Sequence, residues 1–526
     1  MLFNSYEFIL LFLPIVVAGF FLIGRSGAQR AAIGWLVAAS LFFYGWWNPA
    51  YLLLLGTSVI ANFALGTYLC RSRIGPGRHR KTLLIAGLAA NLSSIGFYKY
   101  AGFFVSNVNA LTGSGFELEP IVLPLAISFF TFQQITYLVD SYRGITQEHS
   151  FLNYCLFVTF FPQLIAGPIV HHGEMLPQFA KRSIFRLSSS NIAVGITLFA
   201  IGLFKKAVLA DGIAVYATPV FADAESGAAL DLFTAWGGAL SYTLQLYFDF
   251  SGYSDMALGA ARLFGIRLPA NFNSPYQATN IIEFWRRWHM TLSRFLRDYV
   301  YIPLGGSRRG PLRRHVNLLM TMLIGGLWHG AGWTFIVWGG LHGLYLIINH
   351  AWRWLRRRRH NGAAPELGGW GRHAAHALTL LAVVIGWVFF RAHSFEGAMR
   401  ILEGMAGVNG VTLPAAISYR IGALASVLES LGVVYTPGGG AQFLQTWLWI
   451  GALGAICLLL PNALVLLRRY RPALGFGPGP AAPRAARRRP PLAWRPSAAW
   501  AGGVALLLTG GLLALPEVSE FLYYQF

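Results

Sequence analysis

Charged residues are scarce in this chain. They make up 12% of its 526 residues, where an ordinary soluble domain carries about 25%. The deficit argues against a large soluble core, because 55% of the residues are hydrophobic and they fall in long runs. Acidic residues are scarcer still: 20 Asp and Glu face 41 Lys and Arg, a net charge of +21. The basic residues do not form one patch. They sit in short groups between apolar runs, which argues against nucleic-acid binding. Only Cys70, Cys155 and Cys457 are present, and their scatter, without a CxxC pair, leaves no basis for a disulfide framework or a metal site. The first apolar run has no basic leader and no A-x-A site near its end, so it reads as a retained helix and not as a cleaved signal. No GxSxG elbow occurs, nor a His followed four or five positions later by Asp, a P-loop or a dinucleotide fingerprint. No internal repeat supports an inverted-repeat transporter.

What is abundant is apolar and aromatic, with 17 Trp, 22 Tyr and 39 Phe. Apolar runs near 8–24, 32–47, 51–69, 82–105, 121–139, 151–170, 190–210, 232–250, 316–330, 333–350, 376–390, 444–467 and 499–515 predict about ten to thirteen membrane crossings, each judged against the ~20 residues a crossing needs. The basic groups (Arg25 and Arg30; Arg71 to Lys81; Arg353 and Arg356 to Arg359; Arg468 to Arg471 with Arg484 to Arg489) orient the chain by the positive-inside rule. Both termini are then expected outside. The Arg- and Pro-rich stretch 468–495 is expected to be a flexible cytoplasmic linker within a single membrane domain, 1–526. The aromatic end, 521–526, would anchor at the outer interface.

One region departs from the pattern. Glu283-Phe284-Trp285-Arg286-Arg287-Trp288-His289 continues through Arg294 and Arg297 to Tyr299. On one continuous helix the charged residues share a broad side and the aromatic residues cover the rest. It is too charged to span lipid. A re-entrant helix lining a cavity and a membrane-surface anchor both fit, and His289 taken alone reads as an interfacial histidine. The second departure is Gly325-Gly326-Leu327-Trp328-His329-Gly330-Ala331-Gly332-Trp333. A histidine closing an apolar run is costly unless partnered or wetted, and the glycines permit a break in the helix. His329 is either a packing histidine among small residues or a functional one, with Trp328, Trp333 and Trp338 as pocket walls. Asp249 and Asp255 are expected to cap a broken helix, and Lys205 and Lys206 to snorkel to the cytoplasmic surface.

Phe284-Trp285-Arg286-Arg287-Trp288-His289, Trp328-His329-Gly330 and Tyr247-Phe248-Asp249-Phe250-Ser251-Gly252-Tyr253-Ser254-Asp255 resemble the membrane-bound O-acyltransferase (MBOAT) family. Leu41 to Trp47, Phe160 to Pro168 and Phe389-Phe390-Arg391-Ala392 resemble its bacterial polysaccharide O-acetylation branch. Together these motifs run along nearly the whole chain; 403–443 and 472–495 match nothing familiar.

The resemblance implies an all-α, polytopic transmembrane protein of the bacterial inner membrane, with re-entrant helices around a central tunnel. His329 would be its catalytic residue and His289 a second important polar residue. The donor would be a thioester, acetyl-CoA, with no permanently bound cofactor. Periplasmic acetyltransferases of the SGNH-hydrolase type and a polysaccharide synthesis or secretion complex would be its partners. A thioester transfer needs a base for the acceptor hydroxyl, which suits histidine, and Arg294 and Arg297 could pair with coenzyme phosphates. Two other functions stay open: D-alanyl transfer to teichoic acid, and a non-catalytic conduit or scaffold for the partner transferases.

Overall fold

The computed structural model describes residues 1–71, 77–146, 150–360, 368–476 and 492–515. It is overwhelmingly helical, as backbone in lipid must be, because each peptide group there has to bond within its own segment. Among the described residues, five helices are long and apolar enough to cross a membrane: Glu7–Arg25, Tyr51–Arg71, Ser189–Glu225, Gly369–Arg391 and Gly440–Leu459. The last buries only 11% of its apolar window inside the protein. Its apolar surface therefore faces outward, as a lipid-exposed helix requires.

The described residues form two compact units. One comprises Met1–Phe204, Ser251–Asn271 and the chain from Ala463. Its core is a cluster of phenylalanines, with Phe8 meeting Phe43 at 5.7 Å and Phe161 at 5.9 Å between ring centroids. Beside it, Asn91 donates to Asn62 Oδ1 at 2.7 Å and Ser58 donates to Gln134 Oε1 at 2.6 Å, a buried amide knot joining three helices. The apolar run at 151–170 is not one helix. It stops at Thr159, Phe160 is extended (ψ 107°), and a single turn, Phe161–Leu164, restarts with Pro162 in its first turn. Proline is tolerated there because the first N–H groups of a helix have no partner within it.

The other unit comprises Lys205–Phe250 and Phe272–Asn462, and it holds every residue singled out above for acyl transfer. Two expectations fail in it. The helix carrying Asp249 is unbroken from Leu232 to Leu263, so Asp249 caps nothing. Its partner is Lys206, whose Nζ lies 2.7 Å from Asp249 Oδ1 and 2.8 Å from Asp211 Oδ1. Lys206 and Asp249 side chains are each 1% exposed. Lys206 therefore does not snorkel to a surface: a charge with two carboxylates in reach is better kept inside than drawn through apolar contacts to water. A π-helical turn, Lys205–Ala210, carries the lysine between Ser189–Phe204 and Asp211–Glu225.

The unfamiliar segment 403–443 contains two four-residue strands, Val411–Pro414 and Val433–Thr436, paired in parallel with Val411 opposite Val433. The linker expected at 468–495 is ordered at both ends. Trp494 N–H donates to Leu466 O at 3.1 Å, and its ring meets Tyr470 edge-on at 4.9 Å. Residues 477–491 of that linker, 72–76 of the basic loop and the aromatic end at 521–526 lie outside the described residues.

Candidate active site

The segment expected as one charged helix is two. Asn280 caps Ile281–Trp285 by accepting from Glu283 N–H at 3.0 Å. A second helix, Met290–Leu296, begins after His289. The break has an identifiable cause. Arg287 O, which a continuous helix would offer to the amide four residues on, accepts instead from Asn273 N–H at 2.9 Å. His289 then takes a left-handed backbone, φ 41° and ψ 54°. For a residue with a Cβ this conformation costs on the order of 1–3 kcal/mol and persists only where surroundings enforce it. The break takes His289 out of any helix face and buries it completely.

His329 ends the helix Gly310–His329, and after three intervening residues Trp333–Arg359 begins. The two helices cross closely at Gly326 and Gly339. A Cβ on Gly326 would collide with Phe335 O and lie 3.2 Å from Gly339 Cα, so neither position has room for a side chain. His329 is buried within aromatic walls. Its ring centroid is 4.7 Å from Trp328, 5.1 Å from Trp338 and 5.1 Å from Phe390. Phe390 comes from the helix Gly369–Arg391.

The two histidines, 40 positions apart in the chain (329 − 289), come together with ring centroids 6.4 Å apart. Trp328 touches both, 6.1 Å from His289. Phe250 closes the far side of His289, edge-on at 4.8 Å. Of the three tryptophans expected as walls, Trp328 and Trp338 are buried, whereas Trp333 is 59% exposed.

Arg294 and Arg297 both line a cavity of about 560 Å³, together with Arg286, Ser293, His350 and the ring of Trp285. Its floor is apolar, with Met290, Leu318 and Leu346 among its residues. No carboxylate is among the described residues that line it, although Arg297 makes a two-pronged contact with Asp298, Nε to Oδ1 at 2.7 Å and Nη2 to Oδ2 at 3.0 Å. Three guanidiniums around an apolar pocket suit a phosphate-bearing molecule with an organic tail. Two ring contacts link this cavity's Trp285 to the catalytic candidate: Trp285 meets Trp338 at 5.8 Å, and Trp338 meets His329 at 5.1 Å.

Sequence reasoning missed His342, Trp387 and His350 as members of this region; Arg286 was placed on the charged side of the segment but not assigned to the donor. His342 is wholly buried and its Nδ1 accepts from Trp285 Nε1–H at 3.3 Å. A lone histidine midway along an apolar helix carries no pattern that would mark it.

Comparison with known proteins settles the family. The description "MBOAT, membrane-bound O-acyltransferase family" matches residues 103–365. A protein of Helicobacter pylori named peptidoglycan O-acetyltransferase is 47% identical over 440 residues, covering 78% of this chain and 81% of the relative. The "probable alginate O-acetylase AlgI" of Pseudomonas aeruginosa is 41% identical over 416 residues, covering 77% and 75%. A teichoic acid D-alanyltransferase of Streptococcus thermophilus is more distant, 29% identical over 243 residues, covering 45% and 58%. The chain belongs to the membrane-bound O-acyltransferase family. It is therefore a multi-pass membrane acyltransferase. Within this MBOAT protein the matched region contains both histidines and the whole arginine-lined cavity.

Proposed function

We propose that this acyltransferase is an O-acetyltransferase of the bacterial inner membrane, taking acetyl groups from acetyl-CoA for a cell-envelope glycan outside. The observation that carries the reading is the buried pair His289 and His329, 6.4 Å apart, linked by two ring contacts to a cavity lined by three arginines. The names of the two most similar relatives described above supply the acetyl group and a glycan acceptor, peptidoglycan in one and alginate in the other.

In this reading His329 is the general base. It accepts the proton of an acceptor hydroxyl as the oxygen attacks the thioester carbonyl. The tetrahedral intermediate collapses with loss of the coenzyme thiolate, which takes the proton back from His329. An ester and a free thiol result, and the histidine is restored. His289 assists by binding the donor or extending the proton network. Arg286, Arg294 and Arg297 hold the coenzyme phosphates, and the aromatic walls exclude water that would hydrolyse the thioester. The basic loops orient the donor side toward the cytoplasm and both termini toward the periplasm. The charged coenzyme then stays inside while only the acetyl group moves through the protein. Periplasmic SGNH-type acetyltransferases would carry it to the polymer.

The test is the acetyl content of the cell-envelope glycan in cells carrying His329→Ala or His329→Gln at matched membrane expression. A general base contributes typically ~10²–10⁴-fold, so both variants should leave acetylation near background. Normal acetylation in His329→Ala cells would overturn the catalytic assignment and favour a conduit that only serves the partner transferases.

A further inference from the structure

His342 lies outside the pair assigned to chemistry, yet it is as deeply buried as either. Its surroundings are rings: Trp338 at 4.9 Å, Trp285 at 5.3 Å and Tyr345 at 5.6 Å between centroids. A phenylalanine would fill such a place without the cost of removing an imidazole from water. The imidazole does one thing a phenyl ring cannot: its Nδ1 accepts the indole N–H of Trp285. Accepting at Nδ1 fixes the neutral ring's proton on Nε2. That nitrogen has no hydrogen-bond partner among the described residues. Position 386 is shaped around it. A Cβ on Gly386 would stand 2.8 Å from His342 Nε2, so the helix Gly369–Arg391 admits the imidazole only because residue 386 has no side chain.

Trp285 is where this hydrogen bond acts. Trp285 is one of the residues that line the arginine cavity. Its ring meets Trp338 edge-on, at an interplanar angle of 66°, and Trp338 walls His329. The indole is thus the partition between the cavity and the aromatic box. Trp285 is also the last residue of its helix before the break that leads to His289, a place where backbone alone holds a large side chain loosely.

We infer that His342 is a positioning residue: by accepting the Trp285 indole N–H it holds that ring as the partition between the arginine-lined cavity and His329. The inference rests on the proposed acetyl transfer. A fixed partition leaves passage for a two-carbon acyl group and refuses longer ones. It also keeps cavity water away from the thioester carbonyl. An unpinned indole swings and loses both properties, while His329 keeps its own walls of Trp328, Trp338 and Phe390.

The test uses the full-length enzyme in membrane vesicles, with acetyl-CoA and butyryl-CoA as competing donors and thioester loss without acceptor as a second readout. His342→Phe keeps the ring and removes the acceptor atom. Trp285→Phe removes the donor from the other side, so the same hydrogen bond is tested even where one variant fails to fold. Each should lower the preference for acetyl-CoA in kcat/KM about tenfold, the size expected for one buried hydrogen bond, and raise acceptor-independent thioester hydrolysis. The double variant should add nothing further, as for two ends of one interaction. His342→Asn places an oxygen near the Nδ1 position and should restore most of the preference. Donor preference within threefold of wild type in both single variants would overturn the inference. A wild-type enzyme that uses neither coenzyme thioester would overturn the donor assignment on which it rests.

Discussion

Two clusters in the same compact unit break the apolar pattern of this membrane protein, and they do so in opposite ways. Around Lys206 the polarity is ionic and answered at contact distance, with carboxylates at 2.7 and 2.8 Å. Around His289 and His329 the walls are rings, and the two histidines face each other across 6.4 Å. The first cluster is what burial demands of charges that hold helices together. The second confines proton-accepting groups in a small apolar chamber, an arrangement suited to chemistry. Under the proposed function, buried polar residues separate into structural and reactive sets by what stands next to them.

Mutation can break this comparison. The largest effect is expected at His329, where replacement by Ala should remove at least ~10²-fold of activity and leave the protein at wild-type abundance in the membrane. Lys206→Met should do the reverse. Two carboxylates left without their cation cost on the order of 3–5 kcal/mol, so abundance and thermal stability in detergent should collapse, with activity lost in proportion to protein. A Lys206→Met variant with normal abundance but no activity would move the ionic cluster into the reactive set. Adding Asp249→Asn to Lys206→Met removes one stranded charge and should recover part of the stability, which detergent melting curves would register. The smallest effect belongs to the cavity. Arg294→Gln with Arg297→Gln should raise KM for acetyl-CoA about tenfold while kcat changes little, since phosphate contacts bind ground state and transition state alike. An unchanged KM would remove both arginines from the donor site.

Much of this arrangement was readable from the chain. The spacing of charge among aromatic residues marked 283–299, and the histidine closing a glycine-rich apolar run marked His329. Their convergence was not readable, because a 40-residue separation says nothing of distance until the chain has folded. The break at His289 was hidden for another reason. A positive φ in a non-glycine residue leaves no mark in composition, and its cause, the Asn273 hydrogen bond to Arg287, is tertiary. His342 escaped because one histidine on an apolar helix face has no periodic signature. Lys206 was misread because lysine beside an apolar run ordinarily reaches for water, and nothing local reveals carboxylates five and forty-three residues further on.

The Lys206 cluster also bears on how the protein is made. A lysine near the middle of an apolar helix costs about 2.5–3.5 kcal/mol to insert into a bilayer. Here the 37-residue run Ser189–Glu225 carries that lysine, and the helix carrying its partner Asp249 begins at Leu232. A connection this short lets both helices leave the translocon as one hairpin, the cation and carboxylate neutralising each other before either meets acyl chains. Asp211, in the same run as the lysine, offsets part of that cost at once, and Asp249 in the next helix supplies the second carboxylate.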